Sequence, residues 1–85
     1  MNYMHWKIDT TQEATAVVSL KGVESDVFVL DRTNFDRFRR GSSFQYFGGH
    51  YKRSPARLTI PSAGEWYVVV IPSVGGRVEA TLQVV

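Results

Sequence analysis

The side chains able to do chemistry in this chain are few and poorly spaced for it. Two histidines, His5 and His50, lie forty-five residues apart, and there is no cysteine. A zinc-type centre needs several His, Cys, Asp or Glu donors converging, usually with paired ligands at short spacing. His5 and His50 could meet only if an opening strand ran beside the loop that carries His50. The simpler reading is one imidazole satisfied in a sheet and one exposed in a loop. Ser42, Ser43 and Ser54 have no evident base, and no G-x-S-x-G elbow is present. The carboxylates fall mostly at strand ends and turns instead of forming a facing pair for glycoside chemistry. Neither G-x-x-x-x-G-K-S nor G-x-G-x-x-G occurs. The expectation is a protein with no catalytic residue, no metal and no cofactor, hence not an enzyme. Arg39-Arg40-Gly41-Ser42 resembles a basophilic kinase site, but so short a string arises often by chance.

Binding has better material. Residues 32–57 carry Arg32, Arg37, Arg39, Arg40, Lys52, Arg53 and Arg57 against Asp36 alone, a local +6. The rest carries three cations and seven anions, a local −4 within a net charge of +2. Interleaved with the seven cations are Phe35, Phe38, Phe44, Tyr46, Phe47 and Tyr51, six of the eleven aromatics. Rings that stack on bases and guanidinium groups that hold phosphates are the usual means of gripping single-stranded nucleic acid or nucleotides. The candidate contacts for such an anionic ligand are Arg39, Arg40, Lys52 and Arg53, with Tyr46 and Tyr51 as ring platforms. His50 would be a hydrogen-bonding tip held by a Gly48-Gly49 turn, whose backbone N–H groups could also form an anion nest.

Three other readings stay open. The aromatics can pack beneath a crossover as a satellite core, leaving the cations solvated. Tyr46 and Tyr51 can serve carbohydrate or protein recognition. The aromatic face can instead be a homo-oligomer interface, with a two-fold dimer the simplest case. No RNP-type or OB-type pattern accompanies the basic segment.

These residues must be positioned by strands. Short runs alternating apolar with polar mark half-buried antiparallel strands. Val78, Ala80, Leu82 and Val84 form one face of Arg77–Val85, and Ala16, Val18 and Leu20 one face of Ala14–Lys21. Asp26–Asp31 and Glu65–Ile71 are apolar on both faces, as central strands covered on both sides would be. Leu58 and Ile60 mark a shorter strand. Tyr3–Ile8 is the first, with Met4, Trp6 and Ile8 inward, and a seventh is expected around Phe44–Phe47. Lys21-Gly22, Gly48-Gly49, Pro61–Gly64 and Pro72–Gly76 read as turns, the last two of hairpin length. Asp31–Arg40 suits one or two helical turns capped by Thr33 or Asn34, with Phe35 and Phe38 on one side. The expected fold is an all-β antiparallel sandwich, jelly-roll-like, with six to seven strands.

Eighty-five residues are enough for one domain, 1–85, burying about 60–65% of its unfolded surface. Phe44, Phe47, Leu58 and Ile60 are expected in its core. The first residues lack the pattern of a secretory signal, and no run reaches the length of a membrane span. A soluble, cytoplasmic protein without membrane partners is the expectation.

One resemblance covers nearly the whole chain. Tyr46–Pro55 (YFGGHYKRSP), Met1-Asn2-Tyr3 with His5, Leu30-Asp31 with Asn34-Phe35, Gly64–Val70 (GEWYVVV) and Gly76-Arg77-Val78 carry it. Together they resemble a family of small bacterial proteins of unknown function. In that family a Tyr-Tyr-Gly-Gly-His-Tyr-like run precedes Ser-Pro, then a Pro-x-x-Gly-x-Trp turn enters a Val-rich strand. The resemblance implies a β-sandwich found alone or attached to a Toll/interleukin-receptor-like signalling domain, where it would act as a sensing or recognition module. Here Ile71-Pro72-Ser73 stands in for the family's Asp-containing turn. The resemblance brings no catalytic residue.

Overall fold

The two alternating segments fold as strands with one dry and one wet face, and the two doubly apolar segments become the centre of a sheet. The computed structural model describes residues 2–85; Met1, part of the N-terminal resemblance, lies outside the described residues. Seven strands and one helix follow in the order β1 (Met4–Thr10), β2 (Ala14–Gly22), β3 (Ser25–Asp31), α1 (Arg32–Arg39), β4 (Phe47–Tyr51), β5 (Ala56–Ile60), β6 (Gly64–Pro72) and β7 (Val78–Val84). They pair antiparallel into two sheets, β1-β6-β3-β4 and β5-β2-β7. The all-β sandwich is therefore as expected.

Between the sheets lie Ala16, Val18, Ala56, Leu58 and Ile60 from the three-stranded sheet, facing Val27, Val29, Val68 and Val70 from the four-stranded one. Met4, Trp6 and Ile8 pack against this core as the alternation in β1 requires. The outer face of the four-stranded sheet is also dry. Phe28, Leu30 and Val69 point out onto Phe35 and Phe38 of α1, with Tyr3, Phe44, Tyr67 and Ile71 around them. Phe35 stacks on Tyr67 with ring centroids 4.2 Å apart and planes 6° apart. Two covered faces explain why Val68, Val69 and Val70 are all fully buried in succession. Each such side chain contributes on the order of 1.5–3 kcal/mol of apolar burial.

Helix α1 starts directly from the end of β3. Its cap is Asp31, not Thr33 or Asn34, and the Asp31 carboxylate accepts from the Asn34 backbone N–H at 2.8 Å. Gly41 follows the helix at φ +76°, and Arg37 and Arg39 occupy the last turn, where positive charge suits the exposed carbonyls.

Three further expectations are corrected. The strand expected at Phe44–Phe47 lies at Phe47–Tyr51, so Gly48-Gly49 sits inside a strand and does not form a turn. Gly48 adopts φ +131°, and a Cβ there would collide with the Val27 carbonyl oxygen. Its glycine serves close approach between β4 and β3, not chain reversal. Phe47 is 47% exposed and not part of the core, because β4 is an edge strand. The stretches after β5 and after β6 are not hairpins, since each carries the chain from one sheet to the other. No helix among the described residues is long and apolar enough to cross a membrane.

Candidate functional site

The seven expected ligand contacts do not fall on one element. Arg39 and Arg40 close α1; the Arg39 guanidinium lies 5.5 Å from the Phe35 ring centroid, and Arg40 is the C-cap. Lys52 and Arg53 are exposed in the turn between β4 and β5. Of the other cations in the segment, Arg32 reaches Glu65 at 3.9 Å. Arg57 points away from the core on β5, beside Val17 of β2. Tyr51 is half-buried against the inter-sheet core, opposite Ser25, while Tyr46 remains 47% exposed.

His50 is not a tip held by a glycine turn. It pairs with Asp26 in the β3–β4 ladder, which puts both side chains on the outer face of the sheet. Its Nδ1 lies 2.7 Å from Asp26 Oδ1 and its Nε2 2.9 Å from Glu24 Oε1. Hydrogen bonding to Asp26 first, then to Glu24, raises the His50 pKa, while the bond to His50 holds Glu24 below the usual carboxylate value. A ring with a carboxylate at each nitrogen is best satisfied as imidazolium, which has two donors. Because the carboxylates flank opposite nitrogens, the three groups do not converge on a common point as metal ligands would. No group suited to a metal ion occurs among the described residues. His5, on β1 at the opposite edge of the sheet, has its ring centroid 5.1 Å from that of Phe35 in α1. Three inter-strand steps of about 4.8 Å separate the two histidine-bearing strands.

The rings that stay exposed gather at one end of the sandwich. Tyr46 leans on Phe28 with centroids 4.2 Å apart and touches Phe44 at 5.5 Å. Phe47 meets Trp66 edge-on at 6.5 Å. Together with Val29, Pro61, Asp31, Asn34 and Gln45 they line a groove of about 640 Å³. Its polar side is ordered by a short relay. Asp31 Oδ1 accepts from both the backbone N–H and Nδ2 of Asn34, and Asn34 Oδ1 accepts from the Gln45 backbone N–H at 2.8 Å. The Trp66 indole N–H donates to the Ser62 carbonyl at 3.0 Å, which fixes the ring as a wall. No lysine or arginine lines this groove.

A second cavity, about 650 Å³, opens elsewhere between Tyr3, Met4, Lys21, Arg77 and Glu79. It mixes both signs of charge, and its one ring, Tyr3, is engaged edge-on by Phe38 at 5.0 Å.

Of the groove residues the sequence marks only Tyr46 as a ligand contact. Phe47 reads as core because its apolar neighbours hide that β4 has no partner beyond it. Asp31 and Asn34 read as helix-start residues, and Trp66 as part of a buried strand.

Fold and site together define a small β-sandwich with a helix over one face and an aromatic groove at one end. Residues 1–85 match the family described as Domain of unknown function (DUF1883), and the chain belongs to that family. It matches no curated protein and no solved structure.

Proposed function

We propose that this protein is a recognition module that binds through the Tyr46–Phe47–Trp66 groove and carries out no catalysis. One observation carries the reading: two neighbouring rings, each 47% exposed, border a groove whose polar side is already hydrogen-bonded into place. Exposed rings beside a few oriented polar groups are the usual make-up of a small-ligand site. An anionic ligand, the expectation from the charge pattern, would have to use Arg39–Arg40 or Lys52–Arg53 as contacts outside the groove. The resemblance noted above supports a bacterial setting, alone or beside a Toll/interleukin-receptor-like signalling domain, and a cytoplasmic location is part of the same proposal.

Ligand-observed NMR with a mixed library of aromatic, polyhydroxylated and phosphorylated fragments tests this. Hits that disappear in Tyr46→Ala and Phe47→Ala, both still folded by amide dispersion, are expected. Hits that persist in both variants would refute the groove.

A second reading has its own support. Phe47 lies on β4, an edge strand with no strand paired on its outer side among the described residues, so two copies could meet there. Sedimentation across a wide concentration range decides it, since a strict monomer removes the homodimer.

A further inference from the structure

Resting on the groove as the binding site, we infer that its ligand is a neutral carbohydrate, a short stretch of oligosaccharide laid against Tyr46 and Phe47. Aromatic faces carry negative potential, and the C–H-lined face of a pyranose ring presents weakly positive hydrogens to them. Tyr46 and Phe47 offer such surface, and Trp66 closes one side.

The polar side suits hydroxyl groups. Asp31 Oδ1 is held by Asn34, while Oδ2 has no protein partner among the described residues; neither does the side-chain amide of Gln45. A carboxylate oxygen and a free amide supply both acceptors and donors, the set that adjacent hydroxyls require. Because the relay already orients Asp31, little ordering remains to be done on binding.

Charge and hydrogen bonding weigh against the main competitors. Among the described residues that line the groove Asp31 carries the only formal charge, which disfavours phosphates and carboxylates, and the cation Arg37 lines the adjoining cavity beyond Asn34 and Gln45. A proline-rich peptide docks by giving its carbonyls to ring-borne donors in an aromatic groove. Here the indole N–H is committed to Ser62, so the Tyr46 hydroxyl is the one ring-borne donor left among the described groove residues, which disfavours such a peptide. The volume of about 640 Å³ lies within the roughly 300–1,000 Å³ of small-ligand sites and exceeds what one sugar ring fills.

The test is amide and indole NMR of the full chain titrated with cellohexaose, laminarihexaose, maltohexaose and chitohexaose, at low and high salt, beside an oligodeoxythymidine. The inference expects at least one saccharide to move Gln45, Tyr46, Phe47 and the Trp66 indole, with no dependence on salt. Affinity should fall about tenfold or more in Phe47→Ala, and measurably in Gln45→Ala, a surface change that leaves packing intact. If no saccharide moves these signals, the inference is overturned. Groove-directed hits from the fragment library would then leave the recognition reading standing; their absence too would remove both. Salt-dependent movement of the same signals by the oligodeoxythymidine alone would overturn it in favour of an anionic ligand.

Discussion

At the scale of single residues the clearest chemistry is the clasp around His50. Asp26 and Glu24 lie against opposite ring nitrogens, and Lys52 adds a positive field at Glu24. A neutral imidazole donates one hydrogen bond, so only the protonated ring satisfies both carboxylates. The folded state thus raises the His50 pKa above its ordinary 6.5 and lowers that of Glu24 below its ordinary 4.5. The His50 contribution is fully present below the unfolded pKa and is lost as pH rises through the folded one. The Glu24 contribution is present above its unfolded pKa and is lost as pH falls through its folded one. The clasp is strongest between those limits. Because all three side chains are half-exposed, solvent keeps its effect on stability small. The expected outcome is an imidazole NMR titration midpoint above 6.5 that moves back toward it in Glu24→Gln and in Asp26→Asn. A midpoint at or below 6.5 in the unaltered protein would contradict the clasp.

Among elements, edge strand β4 is the informative one. Gly48 lets it approach β3, whereas an added Cβ at Gly49 meets nothing within 4 Å. Gly48→Ala is expected to cost about 2 kcal/mol or more, from the positive φ and the collision with Val27. Gly49→Ala should stay within about 0.5–1 kcal/mol of the parent and on the stable side. Denaturant unfolding of the two variants measures the contrast, and equal effects would be evidence against this geometry. The same strand marks how far sequence reasoning reaches. Strands β3 and β6 were legible because apolar residues on both faces have few explanations other than double coverage. Gly48-Gly49 reads as a turn because a glycine needed for close approach, such as Gly48 at φ +131°, and one needed to reverse the chain are the same residue type in the sequence. The helix cap was misplaced by two or three residues, because Asp31, Thr33 and Asn34 are all good caps. Only the absence of any linker after β3 selects Asp31.

The whole molecule is wound so that nearly every link changes sheets. Only β3 and β4 are both consecutive in the chain and paired, with α1 between them. Every other pairing waits for distant segments to meet, and such topologies fold in about milliseconds to seconds. Stopped-flow refolding followed by tryptophan fluorescence should fall in that range, and a microsecond phase of full amplitude would contradict it. The winding also explains why the linear +6 segment was a poor guide to a surface. Folding sends Arg57 to the outer side of the three-stranded sheet, Arg32 to Glu65, Arg39 over Phe35, and Lys52 and Arg53 to a turn. The groove, by contrast, joins residues from 29 to 66 that no local pattern connects. Its role is tested most directly by mapping backbone and indole NMR shifts while ligands from the fragment library are added. Shifts confined to Asp31, Asn34, Gln45–Phe47 and Trp66 are predicted. A map centred on Arg39–Arg40 or Lys52–Arg53, with the groove unmoved, would contradict the claim that this protein recognises its ligand there.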